Sequence, residues 1–60
     1  MEQNLPKDPV MLLSFVNTQL RDNYSSLEDF CRFFDLSEEK LVDKLEKIQY
    51  KYDAKQNQFI

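Results

Sequence analysis

The chain has 60 residues, one domain's worth, and a domain of that size buries only about 60% of the surface its unfolded form exposes. Apolar residues make up 42% of it and five are Phe, while the net charge of −3 and isoelectric point near 4.7 weigh against a general phosphate-binding surface. There is no Gly, no His and one cysteine, which excludes an internal disulfide, removes the usual general base near neutral pH and points to a reducing cytoplasm.

Residues 1–7 read as a polar arm whose Leu5 is expected to turn back onto the core. Asp8-Pro9 opens a first helix over 9–22, a capping acceptor followed by the residue best suited to the first helical position. Leu12, Leu13, Val16 and Leu20 fall on one face at helical spacing, and Ser14, Asn17, Thr18 and Arg21 on the opposite, solvated side. Met11 and Phe15 lie on a flank and widen the apolar face beyond one seam. The run Val10 to Val16 is too short to span a bilayer and follows Asp8, so neither a membrane span nor a signal peptide is expected.

The second helix, 26–34, opens on Ser25-Ser-Leu-Glu28, read as a capping box, and carries Leu27, Phe30, Cys31 and Phe34 on its core stripe. Phe33 lies off that stripe. Asp35-Leu36-Ser37 is the turn, with Leu36 plugging the gap between helices. A third helix, 38–49, starts at Ser37, sets Glu38 and Glu39 at the positive end of its dipole, and aligns Leu41, Val42, Leu45 and Ile48. The period then changes to two. Tyr50 and Tyr52 alternate with charged residues, and Phe59 answers them after a turn over Asp53 to Asn57, which predicts strands 50–53 and 58–60.

The expected fold is mainly α: a three-helix, helix-turn-helix-like domain with a C-terminal two-stranded β-hairpin as a wing. It is a single domain over 1–60, with the arm at 1–7, the helices within 8–49 and the hairpin at 50–60. Its core should hold Leu12, Val16, Leu20, Leu27, Phe30, Cys31, Phe34, Leu41, Leu45 and Ile48. Without Gly, any positive φ falls to other residues, and Asn23 and Asn57 stand where it would be useful.

The run Leu5-Pro-Lys-Asp-Pro-Val-Met-Leu-Leu-Ser-Phe-Val-Asn-Thr-Gln-Leu-Arg-Asp22, with Tyr24-Ser-Ser-Leu27, Tyr50-Lys-Tyr-Asp53 and Asn57-Gln-Phe-Ile60, resembles a bacterial family of short proteins of unknown function, domain-of-unknown-function family 4250. The resemblance covers nearly the whole chain. It implies a small intracellular bacterial protein and brings no activity, cofactor or site with it. One departure stands out: the family pattern has Gly at the end of the third helix where this chain has Gln49, so a left-handed cap there costs roughly 1 kcal/mol.

The residues suggest no catalytic, cofactor or metal site. Cys31 sits on a core stripe, where a thiol is structural, since activation needs a basic neighbour and access. Glu38, Glu39 and Asp43 read as a solvated acidic face, and Asp53 and Asn57 as turn residues. The chain is therefore not expected to be an enzyme. Lys40, Lys44, Lys47 and Lys51 fall on one side of the third helix and its exit, the element that would enter a major groove. Glu39, Asp43 and Glu46 adjoin them, and Asp43 to Lys47 has the i,i+4 spacing of an ordinary ion pair, which leaves weak nucleic-acid binding as the alternative. The preferred reading is a protein-interaction or regulatory accessory module. Its contact patch is Met11, Phe15 and Phe33, meeting a protein partner or a second copy unless the hairpin covers them. Tyr24, Tyr50 and Tyr52 read as core-edge residues with wet hydroxyls.

Overall fold

In the computed structural model, which describes residues 5–60, each helix begins where a short polar side chain can accept an orphan amide. Met1–Asn4, part of the predicted arm, lie outside the described residues. Asp8 accepts from the Met11 N–H at 3.1 Å and starts α1, Pro9–Asp22. Ser26 accepts from the Asp29 N–H at 3.1 Å and starts α2, Leu27–Phe34. Ser37 accepts from the Lys40 N–H at 3.3 Å and starts α3, Glu38–Glu46. The cap of α2 is thus one residue later than the predicted Ser25–Glu28 box. Ser26 is the residue with extended backbone, and Ser25 instead donates its hydroxyl to the Asp29 carboxylate at 2.9 Å. The shift leaves both Glu28 and Asp29 in the first turn, at the positive end of the dipole.

Two helices end in left-handed residues, neither of them Gly. At the end of α2, Asp35 takes φ 56°, ψ 48°, and the Leu36 N–H reaches back to the Cys31 carbonyl at 2.8 Å. At the end of α3, Gln49 takes φ 69°, and the Tyr50 N–H reaches the Leu45 carbonyl at 3.1 Å. Both are Schellman closures, which satisfy the last carbonyls and turn the chain sharply. The second explains why regular helix stops at Glu46 and not at residue 49: residues 47–49 tighten into the closure. Asn57 also has positive φ (54°), as expected, whereas Asn23 does not (φ −126°); Asp35 takes the role instead.

After the closure the chain forms an antiparallel hairpin of β1, Tyr52–Asp53, and β2, Gln58–Phe59, in register Tyr52 with Phe59 and Asp53 with Gln58. The strands are shorter than predicted, although Lys51 and Ile60 still exchange two backbone hydrogen bonds, at 2.9 and 2.8 Å. The Asp53 carboxylate accepts the Lys55 N–H at 3.0 Å inside the turn, and Asn57 closes it.

The core runs between the helices and the hairpin. Leu12, Val16, Leu20, Leu27, Phe30, Cys31, Leu41 and Leu45 are buried as expected, with Phe34 and Ile48 partly buried at the edge. Phe59, absent from the predicted core, is only 2% exposed. Leu5 and Leu36 pack against this core, as the sequence implied.

Asn17 and Asn57 dock the hairpin. Asn17, predicted to be solvated, is half-buried and faces β2 as a strand would. Its Oδ1 accepts the Phe59 N–H at 2.8 Å, and its Nδ2 donates to the Phe59 carbonyl at 3.1 Å. The Asn57 amide donates to the carbonyls of Leu20 and Tyr24, at 3.0 and 2.9 Å. The Tyr52 hydroxyl donates to Asn57 Oδ1 at 2.6 Å and accepts the Leu27 N–H at 3.2 Å, so this tyrosine is not the wet edge residue expected. Every buried side-chain polar atom among the described residues has a partner.

Two predictions follow from these bonds and closures. Asn17→Ala and Asn57→Gly should each destabilise the domain by about 1–3 kcal/mol, because backbone groups at the hairpin–helix junction lose their partners. The Gly variant keeps Asn57's left-handed backbone, so its loss isolates the amide bonds. Gln49→Gly should do the opposite and stabilise by roughly 0.5–1 kcal/mol. Urea unfolding followed by circular dichroism reads all three, and a Gln49→Gly variant weaker than the parent would contradict the second.

Candidate functional site

The predicted contact residues come from two elements that the core holds side by side. On α1, Phe15 stands one turn after Met11, and its ring meets Phe30 and Phe34 of α2 edge-on, with centroids 6.4 and 6.1 Å apart. Phe33 touches Phe34 at 5.3 Å and Tyr24 at 5.6 Å. Phe15 and Phe33 are therefore joined through Phe34 into one aromatic band. Their exposures differ sharply. Phe15 is half-buried, whereas Met11 is 62% and Phe33 69% exposed.

The unusual breadth of apolar surface on α1 has a simple geometric cause. It is the central element, with α2 against the Phe15 flank and β2 against the Asn17 flank. The hairpin therefore does not cover Phe15; α2 does. Behind Phe33 lies a platform of rings with centroids 4.7 to 6.4 Å apart, including the fully buried Phe30, so the exposed ring rests on a fixed base.

The predicted nucleic-acid contacts are separated by the chain reversal at Gln49. Lys40, Lys44 and Lys47 are exposed on one side of α3 and its cap, but Lys51 lies past the left-handed residue, in the approach to β1. The Asp43–Lys47 pair suggested by spacing does not form. Ion pairs among the described residues involve only the two arginines: Arg21 with Asp22 at 2.9 Å, and Arg32 with Glu28 at 2.9 Å and Asp29 at 3.8 Å. All of these pairs are exposed and worth little to stability.

Between the N-terminal arm and α3 lies an open groove of about 240 Å³, floored by Leu5, Leu12, Leu36 and Leu41 and rimmed by Lys7, Lys40 and Lys44. The lysine spacing on α3 was legible in the sequence. That Leu5 and Lys7 would fold beside it, making an apolar floor under a basic rim, depends on where the arm turns.

Cys31 is buried against the core. Burial, and secondarily the negative charge of Glu38, push its thiol above its ordinary value of 9.0. The neutral thiol is thereby favoured, the opposite of what a nucleophile requires. No three metal-ligating side chains converge among the described residues, and Glu38, Glu39 and Asp43 stand exposed on α3. No helix among them is long and apolar enough to cross a membrane.

Taken together, the fold and surfaces define a small helix-turn-helix-like domain with two open faces, one aromatic and one basic and apolar. Comparison with protein families matches residues 6–59 to the domain of unknown function DUF4250. The chain belongs to this family. No curated protein and no solved structure matches it.

The thiol environment has a measurable consequence. Below pH 9.0 Cys31 is protonated in both the folded and unfolded chain; above it the unfolded chain ionises first, so its contribution to stability is lost as pH rises through the folded-state value. The unfolding free energy of the parent should fall more steeply above pH 9.0 than that of Cys31→Ala. Parallel slopes from urea titrations at successive pH values would show that the thiol is not shielded.

Proposed function

We propose that the protein is a non-catalytic interaction module of the bacterial cytoplasm, a regulatory or accessory domain that acts by contact through its aromatic face. The observation that carries this reading is Phe33, 69% exposed on a fixed platform of aromatic rings, with Met11, 62% exposed, one helical turn before Phe15 of that platform. A large exposed aromatic side chain backed by rigid packing is the usual form of a contact anchor. The absence of His and the disfavoured Cys31 thiolate support a role without chemistry, and the single buried thiol is consistent with a reducing compartment. A second copy of the chain is the occupant favoured by size, because a symmetric pairing would add burial that a 60-residue core is short of.

The Lys face supports a second reading. Lys40, Lys44 and Lys47 are exposed on one side of α3 and form no ion pair among the described residues, as a weak nucleic-acid contact requires. The net charge of −3 and the interruption before Lys51 oppose it.

Mass in solution, measured over a concentration series for the parent, Phe33→Ser and Phe15→Ser, separates these readings. The parent should shift towards dimer as concentration rises, and Phe33→Ser should stay monomeric with its fold intact. Phe15→Ser should mainly lose stability, since α2 already covers that ring. A parent that remains monomeric throughout, with salt-sensitive submicromolar binding of duplex DNA that Lys40→Glu and Lys44→Glu abolish, would give the role to the Lys face.

A further inference from the structure

The lysine-rimmed groove is separate from the aromatic face and has its own chemistry. Its volume, about 240 Å³, falls below the roughly 300–1,000 Å³ of sites that enclose a whole small molecule. It is the size for one or two side chains inserted from a larger partner. The floor is aliphatic, contributed by the arm, α1, the interhelix turn and α3. Lys7, Lys40 and Lys44 at the rim are exposed and form no ion pair among the described residues, although acidic residues outnumber basic ones by 11 to 8.

Among the described residues, none of the acids closest in sequence forms an ion pair with that rim. The Asp8 carboxylate caps α1 through the Met11 N–H. Glu38 bears on Cys31, and Glu39 and Asp43 stand exposed beside the lysines on α3 without forming an ion pair with them. Three ammonium groups that have no ion-pair partner among the described residues, set around an apolar floor, are complementary to a ligand with the reverse pattern.

We infer that this groove docks an acidic segment of a partner protein, one large apolar side chain seated between Leu12 and Leu41 and flanking carboxylates on Lys7, Lys40 and Lys44. A protein segment is favoured over nucleic acid because a phosphate backbone would leave the aliphatic floor unfilled and would face the net negative charge of the whole molecule. Recognition divides between the two parts. The anchor side chain supplies most of the affinity by leaving water, while the lysines set orientation and association rate and make binding sensitive to salt.

The experiment uses the full chain, isotopically labelled, and a short peptide with a central Leu-Phe flanked by Glu. Control peptides replace either the Glu residues by Gln or the Leu-Phe by Ser. Amide shifts on titration should concentrate at Leu12, Leu36 and Leu41. Binding should weaken about tenfold in the Lys40→Glu, Lys44→Glu double variant, the sum of two exposed charge pairs. Both positions are exposed, and unchanged melting of that variant confirms that the fold is kept. The Ser peptide should not bind, the Gln peptide should bind weakly and without salt dependence, and Phe33→Ser should bind like the parent, which separates this site from the aromatic face. Equal binding of all three peptides, shifts away from the groove, no shift at millimolar peptide, or displacement of the peptide by duplex DNA would each overturn the assignment.

Discussion

The structure depends on two asparagine side chains. A hairpin with two residues per strand has too few ladder bonds and too little apolar area to persist alone in water. It is held because Asn17 offers β2 the donor and acceptor that a neighbouring strand would offer, and because Asn57 ties the turn to the carbonyls at the end of α1. With the hairpin in place, Phe59 enters the core and Tyr52 reaches the first amide of α2. The hairpin thus covers the flank of α1 opposite the one α2 covers, and it reaches neither Phe33 nor the groove.

The local features were the legible ones. Three caps and three apolar stripes can be read because each depends on residues within one or two turns, and the structure moves only the α2 cap, by one serine. Boundaries failed where geometry took over from composition. The closure at Gln49 cuts α3 short, although nothing but an unexpected residue type marked the position. Asn17 was unreadable for a different reason: an amide on the polar side of a helix looks solvated until the element that pairs with it is placed, 42 residues away. Phe59 is hidden on the same account, since its burial depends on where β2 docks. Of the candidate site, Phe33 was legible as an aromatic residue off its stripe. Phe15 looks the same in sequence, which does not show which flank α2 takes, and the groove is not readable because it needs the arm folded against α3.

Charge is distributed unevenly over this small surface. The arginines sit with acids at the end of α1 and on α2, while the lysines of α3 and the arm have no such neighbours within ion-pair distance among the described residues. Since exposed pairs add little to stability, the segregation has more bearing on association than on folding. The aromatic band thus shares α2 with paired charges, while the groove is edged by lysines without ion pairs among the described residues, and the two surfaces can be occupied at once.

The docking of β2 on Asn17 also constrains how the domain can be made. Helices form within about a microsecond once their residues are free, but the flank of α1 that receives the hairpin waits for Phe59, 42 residues further along the chain. At roughly 5–20 residues per second of synthesis, that interval lasts about 2–8 seconds. Until then the Asn17 flank of α1, with Leu13 and Leu20 beside it, lacks its partner. The last strand of the domain seals its first helix, so the fold is complete only once β2 has docked.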